Sequence, residues 1–222
     1  MRVFISCKEA VKEVERDLWE MGHTVQTQTM QDKDISGDPD YITKEVSPYA
    51  FSITEQSEPE AFIKYLNPDE AEFKKLWSWC EAEFQERIAP QLVNPGTAYL
   101  LRPDIWSEYL HNGRFAYSYN CRMRKQLTRI IEELDEKPGT RQAILSIHDN
   151  NIDIHHLGGG GRVPCSMHYQ FIEREGVLDM IYVMRSSDLL THFCNDNYLA
   201  IRLMHYVAQE IGAQPGTYTF FT

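Results

Sequence analysis

Residues 167–185 read MHYQFIEREGVLDMIYVMR. Two short runs rich in β-forming residues, MHYQFIERE and VLDMIYVMR, meet at Glu175-Gly176, a pair suited to a tight turn, so the stretch predicts an antiparallel hairpin. Upstream, RQAILSIH (141–148) predicts another strand. Before it, CRMRKQLTRIIEELDE (121–136) returns Met123, Leu127, Ile130, Ile131 and Leu134 every three or four residues, which predicts an amphipathic helix stopped by Lys137-Pro138-Gly139. Downstream, NYLAIRLMHYVAQEIG (197–212) predicts a helix ending at Gly212, and GTYTFFT (216–222) a last strand. Toward the N-terminus, DEAEFKKLWSWCEAEFQE (69–86) has helical spacing, with Phe73, Leu76, Trp77, Cys80 and Phe84 on one stripe and Asn67-Pro68 as its start signal. RVFIS reads as a strand, and EAVKEVERDLWEMG as a helix with Val11, Val14, Leu18 and Met21 on one face. Residues 26–60 are polar and broken by Pro39, Pro48 and Pro59, which predicts loops and a strand or two. The class expected is α+β without βαβ alternation, in one domain over 1–222 with a variable N-terminal region at 1–68.

At 222 residues and 42% hydrophobic, the chain is long enough to bury one sizeable core. No run approaches the roughly 20 apolar residues of a membrane span, and the first residues turn charged too early for a signal peptide, so a cytoplasmic protein away from membranes is expected. A formal charge of −11 argues against a nucleic-acid binder, because phosphate-backbone affinity rests on clustered Lys and Arg. The five cysteines are odd in number, widely spaced and without a CxxC pair, which predicts free thiols and no zinc cluster. His148, His155, His156 and His168 match no standard ligand spacing, so no metal is expected. The GGGG run at 158–161 lacks the strand-to-helix setting of a dinucleotide site and reads as a flexible loop. Cys165, just after Pro164 and ahead of the hairpin, is the candidate nucleophile if a nearby cation favours its thiolate, although a lone cysteine is as readily a small buried hydrophobe.

RQAILS, then PCSMHYQF, then the hairpin, then MRSSD (184–188) and Asn195-Asp196 before a helix, resemble the thymidylate synthase superfamily in order and spacing. DIWSEYLHNGRFAYSY (104–119) resembles its tryptophan segment followed by a tyrosine, here Trp106 and Tyr119. The likeness covers residues 104–222. It implies a mixed β-sheet packed by long helices and a homodimer formed through the sheet. It also implies a covalent mechanism in which Cys165 adds to carbon 6 of a pyrimidine nucleoside monophosphate, so that carbon 5 attacks the one-carbon unit of 5,10-methylenetetrahydrofolate. Arg185 and Ser186 match the phosphate contacts, Arg141 the arginine donated from the second subunit, and Gln170 and Asp188 further substrate contacts. Trp106 and Asp188 match the folate side, and Tyr119 a catalytic position. Gln142 stands where most members have a second arginine, a contact that Lys33 or Arg162 would replace. QTQTMQDKDI has no clear match to the family's N-terminal phosphate arginine. Members also continue beyond the match to TYTFFT into a Ser-Leu-His-x-Tyr-like segment for the sugar hydroxyl, so either the sequence is truncated or the sugar is held differently.

Thymidylate synthases carry asparagine where Asp196 aligns. An amide matches uracil, whose ring nitrogen 3 donates and oxygen 4 accepts; cytosine presents the reverse, which a protonated aspartic acid fits. With Met184 in place of a usual glutamine, this resembles the deoxycytidylate hydroxymethylase branch, and implies hydroxymethylation of CMP or dCMP. Asp196 as a plain helix N-cap, or a one-residue slip to Asn195 or Asn197, is the competing reading. The family's acid/base glutamate matches Glu81, with an aromatic three residues later, and Glu83 as the fallback. A methylase of dUMP or dCMP, and a catalytically silent nucleotide-binding relative, are the alternative activities.

Overall fold

A computed structural model describes residues 1–30, 33–157 and 161–222. The chain runs through β1 (Arg2–Ser6), α1 (Cys7–Met21), β2 (His23–Gln26), β3 (Thr29–Met30), β4 (Lys33–Asp34), β5 (Ile42–Glu45) and β6 (Ala50–Glu55). There follow α2 (Glu60–Leu66), α3 (Glu70–Ile88), the one-turn α4 (Pro103–Trp106), α5 (Tyr119–Glu136), β7 (Ile144–Ser146) and the short α6 (Asn150–Asp153). The hairpin β8 (Ser166–Arg174) and β9 (Val177–Met184), then α7 (Cys194–Glu210) and β10 (Gln214–Phe221), complete it. Side chains that close the free N–H groups start the long helices: Ser6 on α1, Asp69 on α3 and Ser118 on α5 each accept from the first turn.

The main sheet has six strands in the order β1-β6-β10-β9-β8-β7. It is mixed: β6 with β10, β9 with β8 and β8 with β7 are antiparallel, whereas β1 with β6 and β10 with β9 are parallel. The α+β class with a mixed sheet and long helices is therefore present. The expected lack of βαβ units needs correction, because α7 carries the chain from β9 to a parallel β10. A parallel neighbour requires such a crossover, and composition says nothing about strand direction.

Alternation along the strands sends one row of side chains into the core. Phe51, Ile53, Tyr169, Phe171, Leu178, Met180, Tyr182, Tyr218 and Phe220 are buried there beneath α7, itself buried from Tyr198 through Ala208 at most positions. On the other face Val3, Ile5, Ile144 and Phe221 are exposed, while Gln170, Ile172, Ile181 and Val183 on the central strands are half-buried. Met21, expected on the inner face of α1, is exposed as well. On α3 the buried tryptophan is Trp79 and not Trp77, because α3 packs against α2, α5 and α7 and buries more than one stripe. The hairpin forms where expected: Glu175 and Gly176 both take positive φ (53° and 78°), as a two-residue turn between twisted strands requires. Among the described residues no helix is long and apolar enough to cross a membrane.

Candidate functional site

The hairpin register decides the first half of the site. Ser166 pairs with Met184, and one step further the Arg185 N–H donates to the Cys165 carbonyl at 2.8 Å. The two residues flanking the hairpin thus lie side by side at its open end. Arg185 folds back over this end: Nε donates to the Pro164 carbonyl at 3.1 Å and Nη2 to the Val163 carbonyl at 3.1 Å, with Nη2 3.6 Å from Cys165 Sγ. Ser186 Oγ stands 3.9 Å from the same sulfur and accepts from Arg185 Nη1 at 3.2 Å. Cys165 is half-buried, while Arg185 and Ser186 are exposed. The thiol is thus partly accessible and set beside a guanidinium held in place by two backbone carbonyls.

Behind Cys165 runs a chain of hydroxyls. Ser166, fully buried, hydrogen-bonds Tyr119 at 2.9 Å and Tyr182 at 2.6 Å. Tyr182 stacks on Tyr169 with ring centres 4.5 Å apart. Burial pushes the phenols of Tyr119 and Tyr182 well above the usual tyrosine range, so both stay neutral donors. The Arg87 guanidinium lies 3.7 Å from the centre of the Tyr119 ring and pairs with Glu83 at 2.9 Å. Asp196 belongs to this cluster: burial pushes its carboxyl up to about 7, with Arg87 opposing the rise and Glu83 adding to it. Burial also raises Glu83, against the pull of Arg87.

The helix mouth separates its three polar residues. Asn195 donates to the Thr191 carbonyl at 3.3 Å, and Asn197 donates to the Phe193 carbonyl at 2.8 Å while accepting from Tyr218 at 2.6 Å. Both amides are buried in the packing of α7, and Asp196 alone is half-buried against the Arg87 cluster. Nor is Asp196 an N-cap. Residues Leu189–Phe193 form a π-helical turn leading straight into α7, and Asp188 caps it by accepting from the Leu190 and Thr191 N–H groups at 2.9 and 3.2 Å. Such π turns recur at functional sites.

Glu81 goes elsewhere. Its carboxylate accepts from Arg202 Nε and Nη2 at 2.9 and 3.0 Å and from Tyr198 at 2.6 Å. Burial alone would raise Glu81, but these bonds outweigh it and hold the group below its ordinary value. Glu83, two residues on, instead pairs with Arg87 and lies close enough to Asp196 to act on its charge. The residues that sequence reasoning missed are Arg87 and Ser166. Arg87 had a signal, since it stands four residues after Glu83 on one helix face.

Trp106, at the end of α4, stacks on buried Trp79 at 6.2 Å and 14°, and His192 and Tyr109 each lie 6.2 Å from it. Its indole N–H is buried without a hydrogen-bond partner, as is Nη1 of Arg102, whose guanidinium lies 4.8 Å over Trp79. Arg162 sits 4.1 Å over the Tyr109 ring and 5.5 Å from that of Trp106. Flat aromatic surface with unsatisfied donors fits a planar heterocycle rich in acceptors. Gln170 lies half-buried on β8, on the sheet face away from Tyr169 and Phe171. Arg141 is exposed ahead of β7, and among the described contacts none joins it to Arg185. The Lys33 side chain and Gly158–Gly160 lie outside the described residues. An open cavity of about 490 Å³ lies beside the site, lined by Tyr117, Cys121, Arg122, Ser146, His148 and Asn150 among others. Neither Cys165 nor Asp196 lines it, so the chemistry is better located by the convergence of side chains than by this hollow.

A family model described as Thymidylate synthase matches residues 73–222. A Methanocaldococcus jannaschii protein named "Putative thymidylate synthase" is 32% identical over 117 residues, which are 52% of this chain and 53% of that protein. A Methanosarcina barkeri protein of the same name is 31% identical over 111 residues, 47% of this chain and 49% of its own length. The chain spans about half the length of these curated relatives. Among solved structures, thermostable thymidylate synthase A from Bacillus subtilis superposes with a TM-score of 0.64 at 17% identity, over 97% of this chain and 77% of that one. Thymidylate synthase from T4 phage gives a TM-score of 0.55 at 24% identity, over 65% and 56% of the two chains. Both likenesses show the fold.

Proposed function

Because the chain belongs to the thymidylate synthase family, we propose that it is a one-carbon transferase, a pyrimidine C5 hydroxymethyltransferase acting on a cytidine monophosphate, CMP or dCMP, with 5,10-methylenetetrahydrofolate. One observation carries the choice of base. Of the three polar side chains at the mouth of α7, only Asp196 faces the cluster behind Cys165, and its carboxyl holds a proton up to about pH 7. A protonated carboxyl donates to ring nitrogen 3 of cytosine and accepts from its amine; it can also pair with uracil, but once ionised it still accepts from the cytosine amine, whereas it sets acceptor against acceptor at oxygen 4 of uracil.

In this reading Cys165 Sγ bonds to carbon 6, with Arg185 and Ser186 holding the phosphate. Methylenetetrahydrofolate supplies the one-carbon unit that becomes attached to carbon 5. Trp106, Trp79 and His192 offer it a flat wall, and Asp188 fixes the turn beneath. Tyr119 and Glu83 handle the proton lost from carbon 5, through hydroxyl contacts running to Ser166 and Tyr182. Once the bond between the one-carbon unit and the folate nitrogen has broken, water adds to that carbon to give the hydroxymethyl group, and Cys165 leaves carbon 6, restoring the 5,6 double bond. The apolar residues exposed on the outer face of the sheet support a face-to-face homodimer, in which Arg141 reaches the partner's phosphate site. The names of the archaeal relatives favour a second reading, in which the carbon 5 unit is reduced to a methyl group on a uridine or cytidine monophosphate.

Product mass separates the readings. Incubation of CMP, dCMP and dUMP with methylenetetrahydrofolate is expected to add CH2O to a cytidine nucleotide. Addition of CH2 would establish the methylase, and no covalent change on any of the three would leave a silent binding protein. Glu83→Gln is expected to lower kcat by about 10²–10⁴, the range for a lost general acid or base. Glu81→Gln should instead cost about 1–2 kcal/mol of stability by weakening the Arg202 contact, with kcat within about threefold of the parent. Kinetics and thermal unfolding of both variants check this, and the reverse pattern would return the role to Glu81.

A further inference from the structure

Glu83 and Asp196 are two acids served by one buried cation. Arg87 is almost wholly buried, and its contacts divide unequally: Nε bonds Glu83 directly at 2.9 Å, whereas the guanidinium acts on Asp196 through space, with no hydrogen bond between them among the described contacts. Its planar face is taken up by the Tyr119 ring at 3.7 Å. The remaining groups facing the cluster add no second cation. Cys80 and Glu86 come from α3, Tyr119 from α5, Tyr169 from β8, Tyr182 from β9, Cys194 from α7 and Tyr218 from β10; of these groups Arg102 acts on Cys80. Glu86 is already occupied by the Thr97 and Ala98 N–H groups at 2.5 and 2.7 Å.

Two carboxylates and one guanidinium leave an uncompensated negative charge in a tyrosine-walled space, which a single proton removes. We propose that Arg87 is a positioning residue that keeps one proton between Glu83 and Asp196, places it on Asp196 by engaging Glu83 directly, and so supplies the hydrogen-bond donor that Asp196 presents to the pyrimidine. Glu83 then remains the anionic base, and Asp196 the neutral acid. The consequence for specificity rests on the reading of Asp196 as the base contact. The arrangement of charge does not, and it is open to measurement without substrate.

The carbonyl stretch of protonated Asp196 can be followed by infrared titration of the ligand-free protein, assigned by its loss in Asp196→Asn. Arg87→Gln is expected to raise the midpoint by about one to two pH units, within the range for removing an opposite charge at close quarters. Arg87→Lys keeps the charge and should stay within about half a unit of the parent. Glu83→Gln removes the like charge and frees Arg87 for Asp196, so its midpoint should fall by about one unit or more. Opposite signs in two variants are something a general loosening of the fold does not produce, and the Glu83→Gln arm stands even if Arg87→Gln does not fold. A Glu83→Gln midpoint unchanged or raised, or a folded Arg87→Gln protein that titrates like the parent, would overturn the proposal. If the midpoints move as expected while Asp196→Asn keeps the parent's preference between cytidine and uridine monophosphates, the shared proton stands and the base-reading role falls.

Discussion

Cys165→Ser is expected to abolish turnover, lowering kcat by about 10⁴ or more, while nucleotide binding changes by less than about threefold. The hydroxyl is nearly the size of the thiol but a far weaker nucleophile at neutral pH. Cys165 is held through its backbone: the 2.8 Å bond from the Arg185 N–H goes to the Cys165 carbonyl, and the neighbouring guanidinium is held by the Val163 and Pro164 carbonyls. None of these contacts needs sulfur. Steady-state rates and calorimetric titration with the monophosphate measure the two effects apart. A mass-spectrometric search for a protein-bound nucleotide adds a third reading, with an adduct expected for the parent under slow turnover and none for the variant. Retention of more than a tenth of the parent's activity would remove the covalent step from the mechanism.

The part of the site at Cys165 was legible because it is local to a hairpin. Once Glu175-Gly176 is recognised as a two-residue turn, pairing outward from it brings Cys165 opposite Ser186, and an irregularity between Ser166 and His168 shifts the register by one, so that the structure has Cys165 bonded to Arg185. The acid/base position was harder, because it depends on a distant part of the chain. Glu81 and Glu83 stand on one helix with similar neighbours, and what separates them is Arg202 and Tyr198 from α7, more than a hundred residues later, which claim Glu81. Helical spacing does show that Glu83 and Arg87 are neighbours, but only the packing of α3 on α5 lays Arg87 against Tyr119. The same packing explains why Trp79 is buried in place of Trp77. At the mouth of α7, the sequence presents three similar polar residues in a row. The π turn at Leu189–Phe193 rotates the helix so that Asn195 and Asn197 face the interior while Asp196 faces the site, an offset that regular 3.6-residue periodicity does not contain. The parallel placement of β10 beside β9 was hidden for a simpler reason, since a strand's composition is the same in either direction.

Asp196→Asn is expected to have two separable effects, one on substrate choice and one on stability. The amide replaces one oxygen by NH2 with almost no change in shape, so it presents an acceptor to the ring N–H of uracil and a donor to its oxygen 4. It can also turn over to suit cytosine, and the expected outcome is a relaxed preference and not a reversal. The ratio of kcat/KM for cytidine over uridine monophosphate should fall by about ten- to a hundredfold, equivalent to about 1–3 kcal/mol. The stability effect follows from the proton. Asp196 titrates at about 7 in the fold against an ordinary 3.8, so between those values the folded chain holds a proton that the unfolded chain has released. Stability of the parent therefore falls as pH rises through this window, and asparagine, which binds no proton, removes the fall. The variant should match the parent below about pH 4 and exceed it by about 1–3 kcal/mol above about pH 8, measured by denaturant unfolding at both extremes. An unchanged substrate ratio together with the expected gain in stability would place Asp196 in the charged cluster but away from the base, and the assignment of cytosine would then fall. No gain in stability would instead show that the carboxyl is ionised in the fold at neutral pH, leaving Asp196 unable to donate to ring nitrogen 3.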